Sequence, residues 1–188
     1  GGGHPVEGHT REAAPLDGEL HEAQLLQNVQ HEAGVGTDAE YDLVEFEQSV
    51  GGLSIGAAVS MNGVTNNQLV QEHYPLLVQA AGTVASYQLR SRATIVGNIC
   101  NASPAGDTIG ACMVHRGVLR VHGPQGFREE PLTDFFQGPG HTRLTPGDIV
   151  VSIHFPPPPE RHAGIYIKLG RNALSDLAIV GVTALGFA

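Results

Sequence analysis

The chain has 188 residues, 41% of them apolar, and a formal net charge of −9. That length holds one ordinary domain with a real core, or two small lobes. An acidic chain without a Lys/Arg stripe disfavours nucleic-acid binding, which depends on cations neutralising phosphates. No apolar run reaches the roughly 18 residues that a membrane span needs.

Cys100 and Cys112 are the two cysteines, with no CxxC pair. Alone they hold neither a structural zinc nor an iron–sulfur cluster, so two free thiols in a reducing cytoplasm are expected. No basic segment followed by an apolar core marks a secretory signal.

Residues 1–40 are rich in glycine and scattered acids, with a short helical pattern around Glu19–Val29. His4, His9, His21 and His31 are spaced by 5, 12 and 10 residues, which suits neither an i,i+4 helical pair nor a hairpin pair, so no metal site is expected.

Patterning sharpens from Tyr41. Residues 41–46 alternate like a half-buried strand, and Gly52–Val59 is a second strand candidate beyond the turn residues Ser49–Gly52. Thr65-Asn66 is expected to cap a helix running to about His73, and Pro75 to open another through Ala81. Residues 88–110 form a stretch bearing Gly, Ser, Asn and Pro. Gly117–His122 and Phe127–Pro131 predict a hairpin, Pro131–Phe136 a helical turn, and Asp148–Phe155 a strand stopped by Pro156–Pro159. Gly164–Leu169 and Leu177–Phe187 complete the strands. Many strands with interspersed short helices predict an α+β fold.

The chemistry concentrates in Gln88–Asp107, read as Gln-Leu-Arg-Ser-Arg-Ala-Thr-Ile-Val-Gly-Asn-Ile-Cys-Asn-Ala-Ser-Pro-Ala-Gly-Asp. Gly97 lets the main chain approach a ligand closely and turn its N–H groups outward. Thr94 and Asn98 add polar side chains, Asp107 could accept from ligand hydroxyls, and Arg90 and Arg92 bring positive charge. On the residues alone, a plain turn-rich loop with capped helix ends is the favoured reading. A serine hydrolase has no Gly-x-Ser-x-Gly to rest on, and no GxGxxG marks a Rossmann site.

This stretch resembles the Arg-Thr-Ile-Gly-Gly-Asn pattern, followed by Asn-Ala-Ser-Pro-x-x-Asp, of the FAD-binding medium subunits of molybdenum hydroxylases of the xanthine dehydrogenase and carbon monoxide dehydrogenase type. Other pieces are similar in the same order. They are Tyr41–Phe46 with Leu53–Val59, Pro131–Thr142, Asp148-Ile149-Val150, Tyr166–Arg171 and Asp176–Val180, together spanning residues 41–188.

The resemblance implies the second lobe of a two-lobed PCMH-type FAD-binding domain, with a mixed or antiparallel sheet and flanking helices. Residues 1–40 would be a remnant of the first lobe, and both that lobe and the C-terminal lobe would be incomplete, as in a truncated chain. It implies FAD as cofactor, with Thr94, Ile95, Val96, Gly97 and Asn98 near the pyrophosphate and Asn101 among the further cofactor-binding residues. Asp107 would hold ribityl hydroxyls, Val150 would pack near the ring system, and Lys168 would lie close to the flavin. No residue is assigned a catalytic role. The implied role is an oxidoreductase subunit passing electrons from the [2Fe–2S] clusters of a partner subunit to an acceptor such as NAD, a quinone or oxygen. A molybdopterin-binding large subunit would carry substrate hydroxylation.

Two departures define an alternative, a non-catalytic fragment of the family that no longer binds flavin. Val96 stands where the family has Gly, which would cost about 1–3 kcal/mol if that backbone needs positive φ or close phosphate approach. The family's Ala-Gly-Gly-Thr loop has its nearest likeness in Ala33–Thr37, close before Tyr41, with Gly2-Gly3-His4 a weaker one.

Overall fold

The computed structural model describes residues 44–47, 52–171 and 176–188. The chain divides after Thr37, and every described residue lies in the second unit. The Glu19–Val29 helix, the four early histidines and the Ala33–Thr37 loop therefore lie outside the described residues.

Strand β1 (Val44–Glu47) forms a hairpin with β2 (Gly52–Gly56), Val44 opposite Ile55. β2 then pairs with β7 (Ile149–Phe155), β7 with β3 (Val118–Gly123), and β3 with β4 (Gly126–Pro131), giving the order β1-β2-β7-β3-β4. Every pairing is antiparallel, so the expected "mixed or antiparallel" sheet resolves to the second. Alternation along each strand puts Leu53, Ile55, Leu119, Ile153 and Phe155 on one fully buried face. Ser54, Ser152 and His154 lie on the other, where the Ser54 hydroxyl and His154 Nδ1 are 3.0 Å apart.

The sheet's centre is irregular. Arg120 pairs with Ser152 but Val121 with Val150, so Val151 is an extra residue on β7. Such a bulge re-aims the side chains beyond it. It brings Val150 into the core beside Val121, and the Val151 carbonyl accepts from Ala57 N–H at 2.8 Å.

Among the described residues, seven short helices follow or interrupt the strands: α1 (Met61–Asn66), α2 (Gln68–His73), α3 (Pro75–Gly82), α4 (Tyr87–Arg90), α5 (Ile95–Asn101), α6 (Ile109–Val114) and α7 (Leu132–Phe135). They supply Met61, Val64, Val70, Leu76, Leu77, Ile95 and Ile99 to the same core as the sheet. The expected helix from Thr65 is instead two helices meeting at Asn67. Its carboxamide oxygen accepts from Leu69 and Val70 N–H at 3.0 and 3.2 Å, and its extended backbone breaks the helical run. An Asn that binds the next amides offers the chain a start in place of a continuation. Ser60 caps α1 in the same way.

Residues 88–110 are more helical than their composition suggests, because Ser86 and Thr94 cap α4 and α5 and Ala102, at φ +47°, closes α5. The β3–β4 hairpin, the turn at α7 and the strand before Pro156 lie where the patterning placed them.

Strands β5 (Phe136–Gly138) and β6 (His141–Thr142) form one small ribbon, and β8 (His162–Leu169) and β9 (Val180–Phe187) another. β8 packs on α3 and β9 on α6. Their other face pairs Ile165 with Ala184, Ile167 with Val182 and Leu169 with Val180. It is apolar and open, Ile167 and Val182 being 57% and 54% exposed.

An ion-pair network closes the β4 edge. Arg128 donates from both terminal nitrogens to the two Asp148 oxygens at 2.7 Å each, and from Nε to Glu130 at 3.1 Å. Thr145 N–H and Oγ1 also donate to Asp148, at 2.7 and 2.9 Å. The Asp148 side chain is 1% exposed, and these donors, Arg128 first, hold its carboxyl well below the usual range. Its contribution is therefore present above the unfolded carboxyl pKa and is lost as pH falls through roughly 4 and below. Because Arg128 is about a third exposed, solvent screening trims the pair to about 1–2 kcal/mol. Asp148→Asn should lower stability by that amount at pH 7 and flatten the acid limb of a denaturation series below pH 4. An unchanged acid limb would count against this assignment.

Candidate functional site

The site begins with a turn. After Ala102 closes α5, the Ser103 hydroxyl accepts from Ala105 N–H at 3.2 Å and the Ser103 carbonyl from Gly106 N–H at 2.9 Å. A Cβ at Gly106 would sit 2.7 Å from Ile109 Cδ1 and 3.0 Å from the Ser103 carbonyl, so glycine fits this turn without displacing either neighbour. Its consequence is that Asp107, the next residue, points inward and is 6% exposed.

A buried carboxylate must be paired and hydrogen-bonded to persist. β8 supplies the partners. Tyr166 Oη donates to Asp107 Oδ1 at 2.6 Å, and Lys168 Nζ donates to Oδ2 at 2.8 Å. The two residues are i and i+2 on one strand and so share a face. β8 is in turn held on α3, because Tyr166 N–H donates to Gln79 Oε1 at 2.9 Å and Lys168 Nζ to the Thr83 carbonyl at 3.2 Å. Burial, and then the Asp107 carboxylate, push the Tyr166 phenol above its ordinary range. It stays a protonated donor throughout the neutral range.

Beside this cluster lies a cavity of about 360 Å³, bordered by Ala102, Pro104, Asp107, Phe136, Tyr166 and Thr183. It is walled by the 102–110 turn on one side and by β9 on another. Openings of this size fall within the range of small-molecule and cofactor sites.

The residues expected at a cofactor divide into three groups. Asp107 and Lys168 are in direct contact. Thr94, Ile95, Val96, Gly97 and Asn98 lie at the start of α5, about 10 Å from the Ala102 end by helical rise. There Thr94 Oγ1 accepts from Gly97 N–H at 2.9 Å, Ile95 and Val96 are buried, and Gly97 is exposed. Asn98 Oδ1 accepts from Thr108 Oγ1 at 2.6 Å, tying α5 to the start of α6. Asn101 is exposed at the end of α5. Val150 stands apart in the sheet core, where the bulge turns it toward Val121 rather than toward the cavity.

Val96 does not carry the positive-φ strain considered for it. Among the described residues, the non-glycine positions with positive φ are Ala85, Ala102 and Arg116. Val96 is the second residue of α5, with an ordinary helical backbone and a side chain 5% exposed in the core. A β-branched residue there fills the interior.

Tyr166, Thr108, Gln79 and Thr83 belong to the site and were not identified from the sequence. Only Tyr166 carried a signal, since Tyr-x-Lys in a strand places both side chains on one face. Among the described residues no group of three or more His, Cys, Asp or Glu could hold a metal ion, and no helix is long and apolar enough to cross a membrane.

Residues 21–158 match the FAD binding domain in molybdopterin dehydrogenase. The match begins twenty residues before the segment in which the resemblance is read, within the glycine- and acid-rich start. The xanthine dehydrogenase FAD-binding subunit of Escherichia coli O157:H7 is 34% identical over 135 residues, which cover 71% of this chain and 46% of that protein. The carbon monoxide dehydrogenase medium chain of Afipia carboxidovorans is 28% identical over 130 residues, 69% of this chain and 45% of that one. The solved carbon monoxide dehydrogenase from Hydrogenophaga pseudoflava superposes with a TM-score of 0.74 at 30% identity, covering 78% of this chain and 50% of that one. The chain spans about half the length of the curated relatives it matches. The matched span, the solved structure's superposition and the placing of the Asn-Ala-Ser-Pro turn together assign it: this chain belongs to the family of FAD binding domains in molybdopterin dehydrogenases.

Proposed function

We propose that this chain binds FAD and serves as the electron-transfer subunit of a molybdenum hydroxylase. Its partners would be a [2Fe–2S] subunit and a molybdopterin-binding large subunit, and its acceptor NAD, a quinone or oxygen. The observation that carries the reading is the buried Asp107 carboxylate, held by Tyr166 and Lys168 at the wall of the cavity.

The donor set suits FAD. A carboxylate with lone pairs beyond its two present bonds accepts from polyol hydroxyls. The first turn of α5 has amide N–H groups without intrahelical partners, as at any helix start, and the exposed Gly97 leaves its surface uncrowded. The length of α5 separates these two features, which suits an extended dinucleotide better than a compact ligand. Bound FAD would supply the acceptance and release of electrons one or two at a time.

The chain's own residues set the conditions. Lys168 spends two of its three N–H donors on Thr83 and Asp107, keeping one donor and a fixed positive charge. Negative charge developing beside it is stabilised. Asp107 neutralises part of that charge and fixes the ammonium's position. Tyr166 holds the other carboxylate oxygen, so that the carboxylate cannot rotate away.

FAD added to the purified chain, with the excess removed, should remain in about equimolar amount and show resolved visible bands. Asp107→Ala should weaken retention about tenfold or more, as loss of a hydrogen bond to a charged group does. A colourless but cooperatively folded wild-type chain would defeat the proposal. Val96→Gly separates the helical role from the loop role. It should cost about 2–4 kcal/mol in thermal or denaturant melts by opening the core and loosening α5, without tightening FAD binding. A gain in flavin affinity with an unchanged melt would return Val96 to the ligand loop.

A further inference from the structure

Two histidines away from the Asp107 cavity have a chemistry that the flavin reading does not use. His115 follows α6 and is 4% exposed. Its ring packs edge-on against Tyr74 at a centroid distance of 5.2 Å and lies 6.3 Å from the ring of His162, the first residue of β8. His162 Nδ1 is 2.7 Å from the Pro159 carbonyl. A carbonyl only accepts, so Nδ1 is the donor, and it is Nε2 that is open to a ligand in the neutral ring. That is how proteins commonly prepare a metal-binding imidazole, with the remote N–H on a backbone carbonyl.

The Nε2 atoms of both histidines are buried and have no hydrogen-bond partner, whereas buried polar atoms nearly always have one. A cavity of about 200 Å³ borders His115, with Pro156–Pro159, Leu185 and Phe187 forming apolar walls and Arg116 the charged one.

Geometry narrows the ligand. Among the described residues the two imidazoles have no third His, Cys, Asp or Glu beside them, so four-coordinate zinc is underserved. Metal–nitrogen bonds of about 2.0 Å, with about 1.2 Å from each ring centre to its nitrogen, put the centroids about 6.4 Å apart on a straight N–metal–N axis and about 5.2 Å apart at a tetrahedral angle. The observed 6.3 Å has room for the straight arrangement and exceeds the tetrahedral one. Two-coordinate linear binding is the habit of monovalent d10 ions, and the positive charge of Arg116 disfavours a divalent one. We propose that His115 and His162 form a linear two-nitrogen site for a monovalent soft cation, copper(I), with silver(I) as its analogue.

The test is an anaerobic titration of the full chain with Cu(I) against bicinchoninate, on wild type, His162→Ala and the double variant Cys100→Ser/Cys112→Ser. His162→Ala should lose one equivalent of Cu(I), or bind it at least about a hundredfold more weakly, while the cysteine variant keeps it. X-ray absorption of the wild-type complex should show two nitrogen scatterers and a linear-site edge, a readout independent of whether the alanine variant folds. Sulfur scatterers, an unchanged equivalent in His162→Ala, or a wild-type chain that binds no Cu(I) would each overturn the proposal.

Discussion

Asp107 is the point on which the site's geometry turns. A carboxylate 6% exposed is unstable unless it finds donors, and it finds them on a strand some sixty residues away, at Tyr166 and Lys168. The same two residues reach back to α3 through Gln79 and the Thr83 carbonyl. One buried charge thus fastens the 102–108 turn, α3 and β8 together. The cavity between the turn and the β8–β9 ribbon exists because that fastening fixes both of its walls. Removing one partner of such a pair costs more than the pair itself is worth, because the other charge is left buried.

The turn delivers Asp107 by purely local means. Ser103 receives two amides through its hydroxyl and carbonyl, and Gly106 fits where a Cβ would meet Ile109. Thr108 then bonds Asn98, so α5 and α6 are locked to each other across the turn. The sheet makes a different local choice. Its bulge at Val151 trades one ladder position for a core that includes Val150. A residue whose position in the family's motif suggests cofactor contact is thereby committed to packing against Val121.

Much of this was legible in the residues. Alternation gave the β3–β4 hairpin and the two central strands, the proline run fixed the end of β7, and the order of several motifs pointed to the family. The helical content of 88–110 was less visible, because caps of one residue each decide it: Ser86, Thr94 and a left-handed Ala102. Thr65-Asn66 and Asn67 are chemically similar cap candidates, and only the positions of the following amides chose Asn67. The Val96 question was undecidable from identity alone, since a Gly-to-Val exchange is costly in a left-handed loop and harmless in a helix.

By itself the sequence determined the α+β framework, the turn-rich stretch that holds Ser103–Asp107 and the presence of an acid and a lysine suited to a cofactor, whereas the antiparallel pairing of the sheet came from the structure. These follow from short-range rules: side-chain period, turn chemistry and caps. Tertiary structure alone decided that Asp107 meets Lys168, that Tyr166 joins them, that Val150 belongs to the core, and that His115 lies beside His162. The Val150 position depends on the bulge and the Tyr166 and Lys168 contacts on which face β8 turns inward, and a register shift of one residue would send every side chain of a strand to the opposite face.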